Sequence, residues 1–73
     1  MATKSSSLNQ FGLHVRKARL AAGLTQEQFA ARAGLDRTYI SLVERGKRNP
    51  SLTNLLRLAF AADVDLSLLV KGL

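Results

Sequence analysis

The chain has no cysteine and no tryptophan, one proline, one histidine and only five acidic residues among 73. Without thiols there is no disulfide and no thiolate metal site, so so short a domain must be held by its core or by pairing with a second chain. A domain of this size buries only about 60% of its unfolded surface. No apolar run approaches the ~18 residues of a membrane span, and the N-terminus lacks the apolar segment of a signal peptide. A soluble protein of the reducing cytoplasm, with no membrane association, is expected. His14 has no thiol to work with. There is no cluster of zinc ligands, no glycine-rich phosphate loop, and no second carboxylate placed beside Asp36 or Glu44. The expectation is therefore no enzyme, no catalytic residue, no metal, no cofactor and no small-molecule ligand. Eleven Lys and Arg against those five acids give a formal charge of +6 and a pI near 10.9. That balance favours a polyanionic partner but does not by itself separate nucleic acid from a merely soluble basic surface.

What is present is concentrated in residues 25–46, TQEQFAARAGLDRTYISLVERG. Thr25 is placed to cap a helix, with Gln28 closing a capping box, and Phe29, Ala30 and Ala33 fall on one helical face. Gly34 suits the left-handed backbone at the end of that helix, and Asp36 offers a cap for the next. In the second helix Ile40 and Val43 face inward, which leaves Arg37, Thr38, Tyr39 and Ser41 pointing out near its start, and Gly46 stops it. Two short helices around a glycine-containing turn, the second with hydrogen-bonding residues in its first two turns, form the helix-turn-helix layout whose second helix enters the DNA major groove.

In Gln26, Phe29, Ala30, Ala33, Gly34, Ile40 and Val43, and in the run Glu44-Arg45-Gly46-Lys47, the chain resembles the phage-repressor-like helix-turn-helix proteins, the Cro/CI or XRE family. The resemblance covers residues 8–70, and within the family the run DRTYIS at 36–41 is most similar to the small controller proteins of restriction-modification genes. It implies an all-α, compact five-helix bundle that works as a homodimeric DNA-binding regulator. It also pairs an arginine four residues before the glycine ending helix one with a glutamate two residues before the glycine ending the recognition helix, here Arg19 and Glu44. Arg19 lies on the apolar side of its helix, where an unpaired charge is expensive, so truncating either partner is expected to cost more than an exposed pair's ~0.2 to 1 kcal/mol.

The site residues divide by task. Gln26 and the first amides of its helix would meet a phosphate, the alternative being a surface glutamine. Arg37 can pair with guanine O6 and N7, or bind phosphate instead. Thr38 and Ser41 can donate to or accept from base edges, and Tyr39 can pack on or hydrogen-bond the sugar-phosphate backbone. Arg45, Lys47 and Arg48 would neutralise phosphates, each adding about one unit to the salt dependence. Asp36, an acid on a basic surface, is read as a cap rather than a base reader.

Around this core, residues 1–7 read as a disordered tail and residues 8–73 as the domain. Leu8, Phe11, Val15, Ala18 and Ala22 have helical spacing, and Gly12 lets a neighbour come close. After Pro50, Ser51 caps a helix that is apolar over more than one stripe. Leu66 to Val70 follow as a fifth helix capped by Asp65, though Ala62-Asp63 replaces the family's common Leu-Gly. Phe60, where relatives are commonly polar, joins Leu56, Leu66 and Leu69 as the expected dimer interface. The competing reading lets Leu56 and Phe60 complete the monomer core. The expected partners are double-stranded DNA and a second copy of the chain; the alternative is an interaction module, such as an antitoxin, whose helix-four surface binds another protein.

Overall fold

The computed structural model describes residues 4–73. Five helices follow one another: α1 Lys4–Ala21, α2 Gln26–Ala33, α3 Arg37–Glu44, α4 Leu52–Ala62 and α5 Leu66–Val70, with no strand among the described residues. The core draws on all five. Phe29, Ile40, Leu58, Leu69, Val15 and Val43 are its largest fully buried side chains, and each takes on the order of 1.5–3 kcal/mol from leaving water.

Local chemistry accounts for most boundaries. Thr25 accepts from the Gln28 amide and its own amide donates to the Gln28 side chain, the two halves of a capping box. Gly34 closes α2 in the left-handed region at φ 69°. The Asp36 carboxylate accepts the Thr38 amide at 2.7 Å, and Ser51 Oγ accepts the Asn54 amide at 3.2 Å.

Four expectations change. The tail expected at residues 1–7 falls partly outside the described residues, and from Lys4 on the chain is already helical. Once Phe11 and Val15 are locked in the core, adding a turn ahead of them costs only the weak propensity of serine, with no new nucleation. At the other end Ala22 is exposed, because α1 stops at Ala21 and the chain turns through Gly23 at φ 74°. Asp65 occupies the position ahead of α5 without making a side-chain cap bond. Leu69, expected at a dimer interface, is 1% exposed and belongs to the monomer core, and Leu66 packs partly against that core. The short α5 folds back on α1, where His14 Nδ1 lies 2.9 Å from the Leu69 carbonyl oxygen, so the side of α5 bearing Leu69 is spent within one chain.

Two close approaches set the position of α3. A Cβ at Gly12 would stand 2.6 Å from the carbonyl oxygens of both Val43 and Glu44, so α1 and α3 touch backbone to backbone. Gly46, at φ 74°, is covered by Asn9 so closely that a side chain there would strike it. At the far end of α4, Asp63 holds the left-handed conformation at φ 57° and ψ 47°, a position where glycine carries no Cβ penalty.

Candidate nucleic-acid interface

The recognition surface begins with what holds α3 still. Ile40 and Val43 are completely buried, so the opposite side of an eight-residue helix is fixed in the outward direction. Glu44, in its last turn, is buried along with Arg19 of α1. Arg19 Nε donates to Glu44 Oε2 at 2.6 Å and Nη2 to Oε1 at 3.0 Å, the two-pronged arrangement in which a planar guanidinium fits a carboxylate best. Arg19 Nη1 donates to the Leu24 carbonyl at 2.9 Å, and no buried side-chain polar atom is unpartnered among the described residues. The pair therefore ties α1, the α1–α2 turn and α3 into one unit.

Gln26 joins the same network. Its Nε2 donates to Glu44 Oε1 at 3.2 Å, so the side chain expected to meet a phosphate is half-buried and held from behind by the ion pair. A polar residue at a helix start is usually solvated, and nothing near Gln26 in the sequence marks this partner eighteen positions away.

On the outer side of α3, Arg37 and Thr38 are exposed and Ser41 is half-buried. Tyr39 is half-buried as well: it packs against the core, and its hydroxyl accepts from Asn54 Nδ2 of α4 at 3.1 Å. Arg45, Lys47 and Arg48 are exposed just beyond the helix. Arg45 Nε bends back to the Ser41 carbonyl at 3.3 Å, while the Lys47 amide donates to the Leu42 carbonyl at 2.9 Å and fixes the turn that presents Lys47 and Arg48. The structure thus collects Arg37, Thr38, Ser41 and the three cations on and just after one helix.

Two contributors were not identified from the sequence. Asn54 reaches Tyr39, and Arg57 Nη1 donates to the Gly34 carbonyl at 3.2 Å, clamping the bend between α2 and α3 from α4. Both are polar residues on a helix otherwise read for its leucines. Their partners lie 15 and 23 positions away, beyond the reach of spacing arguments.

Leu56 and Phe60 remain uncovered at 53% and 73% exposure, on α4. The reading in which they complete the monomer core is excluded.

A buried-back, polar-front second helix behind a capped turn, flanked by cations on a net-basic domain, is the arrangement of a protein that binds duplex DNA in the major groove. The comparisons agree. Residues 15–69 match the helix-turn-helix family, and the chain belongs to that family in its XRE-type form. It is 46% identical over 59 residues to the control protein C.MunI of a Mycoplasma species, covering 80% of each chain. To the control protein C.BamHI of Bacillus amyloliquefaciens it is 46% identical over 56 residues, 75% of this chain and 69% of that one. Its fold superposes on the restriction-modification controller protein C.AhdI from Aeromonas hydrophila with a TM-score of 0.82 and 50% identity, over 85% of this chain and 94% of that one. The chain is a DNA-binding transcriptional regulator, and these relatives are regulators rather than enzymes.

Proposed function

We propose that the chain is a controller-type regulator that binds a palindromic operator as a homodimer, as its likeness to control proteins of restriction-modification systems supports. The observation that carries this reading is the split of α3: Ile40 and Val43 are wholly buried while Arg37 and Thr38 stand clear of the protein. Arg37 at the first helical position reads guanine with two hydrogen bonds, and Thr38 and Ser41 face neighbouring base edges. Gln26, held by Glu44, turns its remaining amide hydrogen to a phosphate, and Arg45, Lys47 and Arg48 neutralise the backbone on either side.

The second copy docks through the apolar surface of α4 around Leu56 and Phe60, which the monomer leaves open. A two-fold axis there uses one patch twice and sets two copies of α3 about 34 Å apart, one turn of DNA. Occupancy of the operator then follows the protein's own concentration through dimerisation, in the cytoplasm where the DNA lies.

The test is selection from random duplexes at about 150 mM salt, a condition that suppresses binding by charge alone. The expected result is an inverted repeat with half-site centres one helical turn apart. Recovery of no shared sequence by the folded protein would reduce binding to charge attraction.

A further inference from the structure

Tyr39 and Asn54 form a cross-helix pair for which the regulator's fold alone gives no reason. A tyrosine hydroxyl has one proton to give and two lone pairs to receive. Here Asn54 Nδ2 donates to that oxygen at 3.1 Å from the protein side. Asn54 is itself oriented by position: its backbone amide is held by Ser51 Oγ at 3.2 Å, in the first turn of α4. With a donor filling one lone pair, the hydroxyl's own proton turns away from Asn54. Tyr39, the third residue of the recognition helix, is half-buried, so its ring is fixed by packing against the core while the residue stays partly open to solvent.

We propose that Asn54 is a positioning residue for DNA binding: by donating to the Tyr39 hydroxyl it commits that hydroxyl to donate outward, to a phosphate oxygen of the DNA backbone. The chain amide N–H to hydroxyl to phosphate runs in one direction, and each bond polarises the next. It joins the start of α4 to the phosphate that places α3 in the groove. The proposal rests on the reading of Tyr39 as a backbone contact.

Asn54→Asp tests it, because a carboxylate in the same place can only accept and therefore turns the tyrosine proton inward. An acid in the first turn of a helix is favourable, so the variant is expected to fold and melt no lower than the parent. The probe is the duplex recovered by selection, with a scrambled duplex alongside. Tyr39→Phe is expected to weaken binding to both duplexes by about tenfold, the loss of one hydrogen bond to a charged group. Asn54→Asp is expected to weaken binding by at least as much in the parent. In the Tyr39→Phe background its effect should shrink by about that same tenfold, leaving only the repulsion of the added charge. Asn54→Ala, which removes the donor without adding an acceptor, should fall between parent and Asn54→Asp.

Additive effects of Asn54→Asp and Tyr39→Phe would overturn the proposal while leaving Tyr39 as a phosphate contact. If Tyr39→Phe bound as the parent does, the reading of Tyr39 would fail and the proposal with it. A merely structural contact would lower the melting temperature in Asn54→Ala without any coupling in DNA affinity, and that too would overturn it. Should Asn54→Asp not fold, Asn54→Ala measured in both backgrounds decides by the same coupling.

Discussion

Arg37 and Glu44 are the first and last residues of α3, and they have opposite tasks. Arg37 is exposed behind a capped helix start, and is the residue proposed to read a base. Arg37→Ala is expected to cost ~1–3 kcal/mol of binding and to flatten preference at one position of each half-site, read by repeating the duplex selection. A uniform loss across all sequences would instead assign Arg37 to a phosphate. Glu44 is buried against Arg19, and its value is the charge it neutralises. Glu44→Ala leaves a guanidinium buried without its carboxylate, so a loss of ~3–5 kcal/mol in unfolding free energy is expected from denaturant titration. That is a large part of the stability of an ordinary domain. Replacing both Arg19 and Glu44 by apolar residues of similar volume should recover much of it, because the cost lies in the orphaned charge.

Among the elements, the contact between α1 and α3 has the least room. Alanine is the better helix former than glycine by ~1 kcal/mol, so Gly12→Ala on an exposed helix would stabilise it. Here the added methyl would stand 2.6 Å from two backbone carbonyl oxygens, and backbone cannot swing aside as a long side chain can. Overpacking of this kind costs ~1–3 kcal/mol and outweighs the propensity gain. A lower melting temperature together with weaker DNA binding is expected, since the same displacement moves α3. The need for a small residue at position 12 was legible from the sequence, but the neighbour was not. The capping of α2, α3 and α4 was legible in full, since each cap spans only two or three residues. The cap assigned to Asp65 was not, because α5 is one turn long and its place is decided by Leu69 and the contact of His14 with its carbonyl.

For the whole molecule, the question is what covers Phe60. At 73% exposure it is the most open of the large apolar side chains among the described residues, with Leu56 one helical turn before it. Phe60→Lys is expected to fold like the parent, since most of that side chain is already in solvent. It should shift the mass measured by sedimentation from dimer to monomer, and weaken binding to an inverted repeat by tenfold or more. An unchanged mass would move the interface elsewhere on the surface. Of the interface read from the sequence, Leu56 and Phe60 remain available, while Leu69 was misplaced. Hydrophobic spacing marks a residue as apolar-facing without saying whether the face meets its own chain or another.

What the sequence by itself determined is what has its partners within a turn or two: five helices, the caps of α2, α3 and α4, the bend at Gly34, the outward set Arg37, Thr38 and Ser41, and the basic charge. These follow from backbone geometry and hydrogen bonds between near neighbours, which leave their signature in spacing. The resemblance to a known family added one long-range pair, Arg19 with Glu44. Only the tertiary structure decided that Gln26 leans on that pair, that Asn54 holds the Tyr39 hydroxyl, that Arg57 clamps the Gly34 carbonyl and that α5 spends Leu69 on the core. Each joins residues from helices that meet in space and are far apart along the chain. No periodicity encodes such a contact, because it exists only once the core has brought the helices together.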